Sequence, residues 1–496
     1  MMQGIMQGHL SLLLVIIPLI TAPIVAVLPR GRWSWVMSLT VATACAILAG
    51  VQLWAVVHDG VISYELGGWA PPWGIEYRID ALNALVALLV SCIAVVTLFY
   101  ALLSAEKEIP KDKIPLFYSA FLLCLTGLLG ITQTGDIFNL FVFLEISSLS
   151  SYALISLGQK RQALTAAFQY LILGTLGATF FLIGVGLIYS QTGTLNMMDL
   201  STRLPEVTGL KTVHTGFAFI MIGFSLKLAL FPLHVWLPNA YTYAPSVISV
   251  FLAATATKVA LYVMLRVLFT VFPESFVSAT PTGDLFVLSG MAGIIIASVY
   301  AIFQVDIKRL LAYSSVAQIG YMALGVGFAS TLGVTATIVH LFNHALMKGA
   351  LFMAVGAIVY RIGVCRMDNI QGLGRQMPWT FGAIVIGGLS LIGVPGTAGF
   401  ISKWYLVLAA LEQEAWIAVV VILIGSLLAV VYIGKIIETL YFQPISTKNT
   451  TVKEAPILLL VPTWILVFAN IYFGLDTELT VGIAERAAQV LGVANQ

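Results

Sequence analysis

The sequence predicts an all-α polytopic membrane protein that crosses the bilayer about fourteen times, and two features of the chain support this prediction. Of the 496 residues, 60% are hydrophobic and only 9% are charged. A soluble domain has about 25% charged residues. The apolar residues also fall into successive runs of about 20, the length that a helix needs to span a bilayer. The small net charge of +2 is spread along the chain, so no basic surface for nucleic acid is predicted.

The predicted spans fall into four regions. Residues 1–114 contain the first three spans, residues 115–272 the next five, residues 273–441 a further five, and residues 442–496 the last span and a tail. We expect the first span to be retained, because no positive segment precedes it and no cleavage site follows it. The spans are 10–28, 33–57, 82–103, 115–133, 137–157, 164–190, 213–238, 245–272, 285–303, 308–327, 332–360, 378–411, 415–441 and 455–474.

The basic residues outside the spans are distributed unevenly. Loops that follow odd-numbered spans hold Arg30, Arg32, Lys107, Lys111, Lys113, Lys160, Arg161, Lys308, Arg309, Arg361, Arg366, Arg375, Lys448 and Lys453. Loops that follow even-numbered spans, with the C-terminal tail, hold Arg78, Arg203, Lys211 and Arg486. The positive-inside rule therefore predicts a multi-pass protein of the cell membrane with both termini on the non-cytoplasmic side.

A second group of charged residues lies inside the predicted spans, where a charge is costly and usually functional. These residues are Glu145, Lys227, Lys258, Arg266, Lys348, Lys403, Lys435 and Glu438. Arg266 lies near the outer end of span 8, so we expect its side chain to snorkel to the interface. Lys435 and Glu438 are one turn apart near the cytoplasmic end of span 13, which predicts a local ion pair, although an exit path could also pass there.

Four of the lysines lie too deep to snorkel, namely Lys227, Lys258, Lys348 and Lys403. Glu145 is the one deep carboxylate, so ion pairing cannot neutralise all four of them. Burial favours the neutral form of a lysine, whereas a nearby carboxylate favours its charged form. A lysine between these two influences can take up and release a proton, which is what a proton relay requires. The alternative is a structural buried ion pair.

Histidines add to this pattern. In "VHLFNHALMKGALF", His340, His344 and Lys348 follow one another at intervals of four residues and share one face of span 11. The spacing could suggest a metal site, but it lacks the glutamate of a zincin motif and Lys348 would repel a metal. A chain of proton-transfer groups is therefore favoured, with no metal or cofactor, although His344 could simply be a hydrogen-bonded core residue. His234 lies at a break in span 7 and is either polar lining or part of the relay.

Spans 7 and 12 both contain helix breakers, Pro232 and Pro238 in the first and Pro395 and Gly396 in the second. A proline leaves backbone carbonyls free, which the bilayer tolerates only where protein or water satisfies them. Two interrupted helices five positions apart predict two five-helix repeats, spans 4–8 and spans 9–13. Because five is odd, the second repeat is inverted. Such a pair of interrupted helices indicates an ion or substrate path near the midplane.

The chain resembles the antiporter-like membrane subunits shared by respiratory complex I, Mrp cation/proton antiporters and membrane-bound hydrogenases. Five motifs in order carry the resemblance, which runs from about Leu116 to Leu411: "FNLFVFLEISSLSSYALISLG", "SLKLALFPLHVWLPNAY", "DIKRLLAYSSVAQIGY", "HLFNHALMKGALF" and "PGTAGFISKW". The resemblance implies a proton-translocating subunit, not an enzyme in itself, that assembles with other integral membrane subunits. The complex would move protons and, in the Mrp case, Na⁺ or K⁺. "DIKRLLAYSS" would be a structural junction between spans 9 and 10.

The resemblance also implies individual roles. Glu145 and Lys227 would form the functional pair, Lys258 the linking base, His340 the histidine of span 11 and Lys403 the lysine of the exit half-channel. Lys258 replaces a histidine of the larger relatives, and Lys403 replaces a glutamate of one medium-sized complex I subunit. The long lateral helix of the largest relatives is also missing, so we expect the D-type subunit of a Mrp antiporter, with the smallest antiporter-like subunit of complex I as the alternative.

Two hypotheses of other classes remain. One is a membrane-embedded metalloenzyme that uses His340 and His344, and the other is a structural scaffold that keeps the fold without transport. The sequence does not say whether a redox reaction or an ion gradient supplies the energy.

Overall fold

The computed structural model describes residues 2–29, 32–445 and 452–492 of the chain. Arg30 and Lys448, which contributed to the charge asymmetry, lie outside the described residues. Twelve helical segments of the described part are long and apolar enough to cross a membrane, among them Ser246–Val271, which is interrupted once at Thr255. Two further crossings are each made of two shorter helices, as described below. The predicted all-α polytopic fold is therefore confirmed.

The N-terminal region consists of three spanning helices and a small hairpin. The helices are α1 (Met2–Val27), α2 (Arg32–Asp59) and α3 (Ala81–Glu108), and the hairpin strands are β1 (Ile62–Glu65) and β2 (Glu76–Ile79). The strands are antiparallel. The hairpin also holds the start of the next region, because Gly135 N donates to Glu76 O over 2.8 Å. Asn196 binds the Glu76 carboxylate over 2.9 Å, so one hairpin residue ties two later loops together.

The next region contains spans 4 to 8. Its helices are α4 (Ile114–Gln133), α5 (Ile137–Ser156), α6 (Arg161–Thr192), α7 (Met197–Val207), α8 (Lys211–Leu228), α9 (Trp236–Tyr243), α10 (Ser246–Ala254) and α11 (Ala256–Arg266). Helices α8 and α9 together form span 7, and α10 and α11 form span 8. The short α7 lies between spans 6 and 7. It buries only three residues, and their spacing places them on one face of the helix: Met197, Leu200 and Leu204.

The remaining helices complete spans 9 to 14. They are α12 (Glu274–Ser278), α13 (Thr282–Ile302), α14 (Ile307–Gly327), α15 (Thr331–Ile362), α16 (Met367–Ile370), α17 (Pro378–Ile392), α18 (Ala398–Glu412), α19 (Trp416–Tyr441), α20 (Ile457–Leu475) and α21 (Glu478–Val490). Helices α17 and α18 form span 12. The sequence predicted only a tail after span 14, whereas α21 is a helix that packs on α15 and α3.

Both predicted breaks are present. Span 7 is interrupted between Leu228 and Trp236, and span 12 between Ile392 and Ala398. The chain leaves α8 at Ala229 and α17 at Gly393, both with positive φ, 59° and 91°. Each exit therefore uses the left-handed region, a common way to end a helix, in which the N–H groups after the helix bond back to some of its last carbonyls and the others remain for partners beyond the break.

One of the predicted break residues is misplaced, and one break was not predicted. Pro238 is wrong as a breaker, because it lies in the first turn of α9, where a missing N–H costs no helical bond. Span 8 is interrupted at Thr255, with φ −125° and ψ −56°. Neither glycine nor proline marks that position, so the sequence offered no signal for it.

The long helix α15 lies at the centre of the molecule. Every residue from Gly333 to Ile358 is buried, because α3, α10, α14, α17, α18 and α20 all pack around it. The two histidines and the lysine predicted to share one face of this helix are therefore far from lipid. Burial on all sides is typical of a helix in the interior of a membrane bundle.

Helices α5 and α14 begin alike. Asp136 caps α5 by accepting from Asn139 N over 2.7 Å, and Asp306 caps α14 by accepting from Arg309 N over 3.2 Å. Each aspartate also forms an isolated antiparallel bridge to a residue beyond the following helix, Asn196 in one case and Arg366 in the other. The two bridges lie in the same relative position, each joining the start of one helix to the end of the next.

Candidate functional site

The predicted glutamate and lysine of spans 5 and 7 are adjacent. Glu145 Oε1 lies 3.5 Å from Lys227 Nζ, and the same ammonium donates to Ser148 Oγ over 2.7 Å. Glu145 and Ser148 are three residues apart, so one face of α5 supplies both partners. The Lys227 side chain is only 6% exposed, whereas that of Glu145 is 23% exposed. The lysine is therefore fixed inside the protein, and the glutamate lies towards its edge.

The break in span 7 holds Lys227 in this position. Lys227 is in the last turn of α8, directly before the interruption. On the other side of the break, Trp236 Nε1 donates back to Leu226 O over 2.9 Å. The Trp236 ring stacks on that of Tyr170 in α6, with 3.9 Å between centroids and 2° between planes. An indole thus bridges the two half-helices and satisfies one of the freed carbonyls.

Lys258 lies just after the break in span 8 and is fully buried. Its Nζ donates to Ala253 O over 2.5 Å, and the hydroxyl of Tyr241 donates to Leu252 O over 3.1 Å. Both carbonyls precede Thr255, where the helix is interrupted. The break therefore creates the acceptors that hold this ammonium, and its hydrogen-bond partners are neutral.

The histidine track of α15 consists of His344 and His340. Their rings are nearly parallel, with 5.9 Å between centroids and 7° between planes. His340 Nδ1 bonds to Ser402 Oγ over 2.8 Å, whereas His340 Nε2 and both ring nitrogens of His344 have no hydrogen-bond partner in the described part of the chain. Buried imidazoles with unpaired nitrogens are free to accept a proton or a water molecule.

Lys348 extends the same face of α15 by one turn. Its Nζ donates to Leu311 O over 2.8 Å and to Ser314 Oγ over 2.5 Å. Both acceptors belong to the first two turns of α14. This ammonium is therefore held by the first part of α14.

Lys403 lies in α18, the second half of span 12, and reaches back across the break. Its Nζ donates to Leu391 O over 3.0 Å, to Ile392 O over 2.9 Å and to Ser426 Oγ over 3.1 Å. The two carbonyls end α17, where the helix dipole favours a cation. The ammonium also lies 4.8 Å from the centre of the Tyr321 ring.

Five of the predicted residues form one electrostatic cluster. Lys258 interacts with both imidazoles, Lys348 interacts with His344, and Lys403 interacts with His340. The Glu145–Lys227 pair stands beside this cluster, and no hydrogen bond or ion pair joins Lys227 to Lys258 within the described residues. The site thus consists of a carboxylate–lysine pair and a separate group of cations and imidazoles.

Two predictions for charged residues inside the spans are wrong. Arg266 does not snorkel, because its guanidinium forms a buried ion pair with Asp80, the cap of α3, at 2.7 Å. Lys435 does not pair with Glu438 but donates to Ile302 O over 2.9 Å and to Gln304 O over 3.2 Å, at the end of α13. Glu438 is exposed. In both cases the partner comes from another helix, which inspection of one helix could not reveal.

His234 lies in the connector of span 7. It is half-buried, its ring stacks on Phe231 with 5.2 Å between centroids, and its Nδ1 has no partner among the described residues. It is not part of the cluster around α15.

The sequence analysis identified the buried lysines and His340 but missed the hydroxyl groups that contact them. Four serines contact the deep lysines and His340: Ser148, Ser314, Ser402 and Ser426. A possible signal was the density of serine in "EISSLSSY" and "YSS", which is unusual in an apolar helix. In the described residues, no group of three or more His, Cys, Asp or Glu side chains is arranged as a metal site.

A cavity of about 230 Å³ with several charged residues in its lining, called the polar cavity below for these residues, lies at the end of the molecule that carries the basic loops. Its lining includes Lys107, Glu108, Lys160, Asp306 and Lys308. The Glu108 carboxylate ends α3 and accepts from the N–H and the hydroxyl of the residue that begins α10, over 2.9 and 3.1 Å. This cavity therefore borders the starts of α10 and α14, two of the helices that surround the cluster.

Known proteins share this sequence and architecture. Residues 134–429 match a family model described as NADH:quinone oxidoreductase/Mrp antiporter, transmembrane. The N-type subunit of NADH-quinone oxidoreductase from Desulforudis audaxviator is 41% identical over 488 residues, which cover 95% of this chain and 97% of that protein. The D-type subunit of the Na⁺/H⁺ antiporter from Alkalihalophilus pseudofirmus is 34% identical over 381 residues, 77% of this chain and 76% of that protein.

Two solved structures are also similar. A chain of the membrane-bound sulfane sulfur reductase, an archaeal respiratory membrane complex, superposes with a TM-score of 0.88 at 32% identity, covering 97% of both chains. A chain of the Mrp complex from Dietzia sp. gives a TM-score of 0.88 at 26% identity, covering 98% of this chain and 97% of that one.

Proposed function

We propose, since this chain belongs to the NADH:quinone oxidoreductase/Mrp antiporter transmembrane family, that it carries protons through the membrane as one subunit of a multisubunit complex. The observation that carries the proposal is the Glu145–Lys227 pair next to a break in a membrane helix, beside a buried cluster of lysines and histidines. We assign the chain an ion-transport role without a chemical reaction of its own.

The proposed switch is the Glu145–Lys227 pair. Unit charges about 4 Å apart interact by about 4 kcal/mol at an effective dielectric of about 20. With Glu145 in place, Lys227 keeps its proton. When the more exposed Glu145 turns to a neighbouring subunit, burial favours the neutral lysine and the proton leaves.

The cluster on α15 is the proposed path beyond Lys227. Lys258, Lys348 and Lys403 are held by carbonyl and hydroxyl oxygens, so no carboxylate among these hydrogen-bond partners offsets their charges. A proton that arrives at one group therefore disfavours protonation of the others. We propose that this repulsion drives protons through His344 and His340 to Lys403, the exit group.

The type of complex is proposed from the relatives. A Mrp-type monovalent cation/proton antiporter, with this chain as its D-type subunit, is our first choice because of the residue identities at Lys258 and Lys403 and the match to the Na⁺/H⁺ antiporter relative. The alternative, a proton-pumping subunit of a redox-driven complex, is favoured by the 41% identity to the NADH-quinone oxidoreductase relative. Purification of the intact complex separates the two: partners with iron–sulfur clusters mean a pump, whereas small membrane partners alone mean an antiporter.

We also propose an inverted repeat of spans 4–8 and 9–13, with both termini outside the cytoplasm. The matching caps and bridges of α5 and α14 support the repeat, and so do the left-handed exits from α8 and α17. In this orientation the polar cavity beside Glu108 opens to the cytoplasm and is the proposed mouth of the path. The sodium or potassium site of an antiporter would lie mostly elsewhere, since hard cations prefer several oxygen ligands.

The test is a Lys227→Ala variant of the whole complex, reconstituted into vesicles. We expect the complex to assemble and proton flux to fall by at least about 100-fold, the usual contribution of a positioned proton-transfer group. Arg203→Ala is the control, since Arg203 forms an exposed ion pair with Asp199 away from the cluster. An assembled Lys227→Ala complex with wild-type flux would overturn the proposal.

A further inference from the structure

Helix α14 carries a line of polar side chains that the path proposed above does not use. Ser314, Gln318 and Tyr321 are four and three residues apart, so they share one face of the helix. All three are buried, with at most 1% of each residue exposed. They belong to or directly follow the motif "DIKRLLAYSS", for which the sequence predicted only a structural role.

This face joins two of the deep lysines. At one end Lys348 Nζ donates to Ser314 Oγ over 2.5 Å. At the other end Lys403 Nζ lies 4.8 Å from the centre of the Tyr321 ring. Seven residues separate the two ends, which is about 10 Å along a helix at 1.5 Å per residue.

Tyr432 of α19 lies beside this face of α14. Its side chain is fully buried and its hydroxyl makes no hydrogen bond of normal geometry in the described part of the chain. Its neighbours are Ser314 on one side and, on the other, Tyr321, whose own hydroxyl donates to Ile422 O over 3.4 Å. Tyr321 in turn interacts with Ser426, whose hydroxyl accepts from Lys403 Nζ. The order in space is therefore lysine, four hydroxyls, lysine.

The unpaired hydroxyl of Tyr432 is difficult to explain by packing. A buried hydroxyl without a partner costs about 1–3 kcal/mol. Phenylalanine would fill the same space without that cost. A tyrosine at this position is therefore expected to use its hydroxyl in a state other than the one seen here.

We propose that Ser314, Tyr432, Tyr321 and Ser426 form a hydroxyl track for protons between Lys348 and Lys403, parallel to the histidine track of His344 and His340. This inference rests on the proposed function, because it needs protons to pass through the cluster. It adds a second route at the end of the path. The two routes share Lys403 as their destination.

Proton transfer along this track moves one net charge from Lys348 to Lys403. An N–H bond of the Lys348 ammonium breaks and its proton joins Ser314 Oγ, while each hydroxyl passes its own proton to the next oxygen. The proton of Ser426 joins the Lys403 amine, so one lysine becomes neutral, the other becomes charged, and the four hydroxyls keep their hydrogen count. In the structure Ser314 donates to Leu311 O over 2.9 Å and Tyr321 donates to Ile422 O over 3.4 Å, so both hydroxyls must first turn towards the next oxygen of the track. These two turns connect the track.

The test uses Tyr432→Phe in the reconstituted complex, with proton flux as the readout. Because the histidine track remains, we expect a loss of about twofold. Tyr100→Phe is the matched control, since Tyr100 is also fully buried but its hydroxyl donates to Met353 O and is not part of the track. Its flux should equal that of the wild type. Tyr321→Phe, which keeps the ring below Lys403, repeats the test at a second hydroxyl.

If two routes carry protons in parallel, blocking both should reduce the flux far more than blocking either one. His344→Leu blocks the histidine track and should leave a reduced flux, whereas His344→Leu with Tyr432→Phe should reduce flux by about 100-fold, far more than the product of the single effects. A double variant no worse than His344→Leu alone would overturn the hydroxyl track. Wild-type flux in Lys227→Ala would instead show that the proposed function has failed, so the two failures are distinguishable.

Discussion

Glu145 and Lys227 form an ion pair whose two members differ in freedom. The lysine has a hydroxyl partner in Ser148 besides the carboxylate, whereas Glu145 Oε1 has no hydrogen-bond partner among the residues that the structure describes. The glutamate is also the more exposed of the two. A change in this pair therefore begins with movement of the carboxylate, and the lysine responds through its proton.

The first prediction at this scale concerns Glu145→Gln. Glutamine keeps the shape and removes the charge, so Lys227 loses its electrostatic partner and the switch is lost. We expect proton flux in vesicles to fall by at least about 100-fold while the complex is recovered in normal yield. Glu438→Gln, at an exposed position, is the control. Retained flux in Glu145→Gln would mean that the carboxylate does not act on the lysine.

The second prediction concerns the buried ion pair of Asp80 and Arg266. Removing one partner leaves an uncompensated buried charge, which costs about 3–5 kcal/mol. We therefore expect Arg266→Met to lower the thermal stability of the complex strongly. Asp80→Asn combined with Arg266→Met should recover part of the loss, because neither charge then remains. Thermal unfolding of the complex measures the loss in the single variant and the recovery in the double variant. Equal instability of the two variants would contradict the pairing.

At the scale of elements, the three helix breaks are the features that hold cations. Each break frees carbonyls, and each is closed by a side chain from beyond it: Trp236 in span 7, Lys258 in span 8 and Lys403 in span 12. In spans 8 and 12 the closing group is itself an ammonium. In span 7 an indole closes the break and the lysine turns instead to Glu145.

This difference leads to a prediction for Trp236→Phe. Phenylalanine keeps the stacking on Tyr170 but removes the side-chain donor to Leu226 O, which then keeps only the 3.2 Å bond from Ala229 N, a loss of about 1 kcal/mol. The last turn of α8, which carries Lys227, should become looser, and we expect proton flux to fall a few-fold with assembly intact. Trp404→Phe, at a half-exposed position of α18, is the control. Unchanged flux in Trp236→Phe would show that the break is held by other contacts.

The elements also show what a sequence can and cannot predict. The charges inside apolar segments, together with the prolines, were sufficient to predict the Glu145–Lys227 pair and two of the three breaks. The break at Thr255 was missed because a hydrogen-bonded threonine and a lysine stabilise it from outside the backbone pattern. The partners of Arg266 and Lys435 were missed because they come from helices distant in sequence, and only packing brings them near.

At the scale of the whole molecule, the prediction concerns orientation. Gln159 and Ser278 are exposed and lie in loops after spans 5 and 8. If the basic loops face the cytoplasm, a membrane-impermeant thiol reagent should label Gln159→Cys only in inverted vesicles and Ser278→Cys only in right-side-out vesicles. The native cysteines are replaced beforehand in both variants. The reverse labelling would place both termini in the cytoplasm.

The hydrogen bonds of Lys403 limit how the molecule can discharge a proton. An ammonium has three N–H groups, and three oxygens receive them: Leu391 O, Ile392 O and Ser426 Oγ. A neutral amine has two N–H groups and a lone pair, so only two of these oxygens then keep a hydrogen. The two carbonyl oxygens can only accept, whereas the Ser426 hydroxyl can also donate and can turn its hydrogen to the lone pair. Loss of the proton from Lys403 therefore reverses the hydrogen bond with Ser426 while the lysine stays at the end of α17, and the next proton can arrive through that hydroxyl.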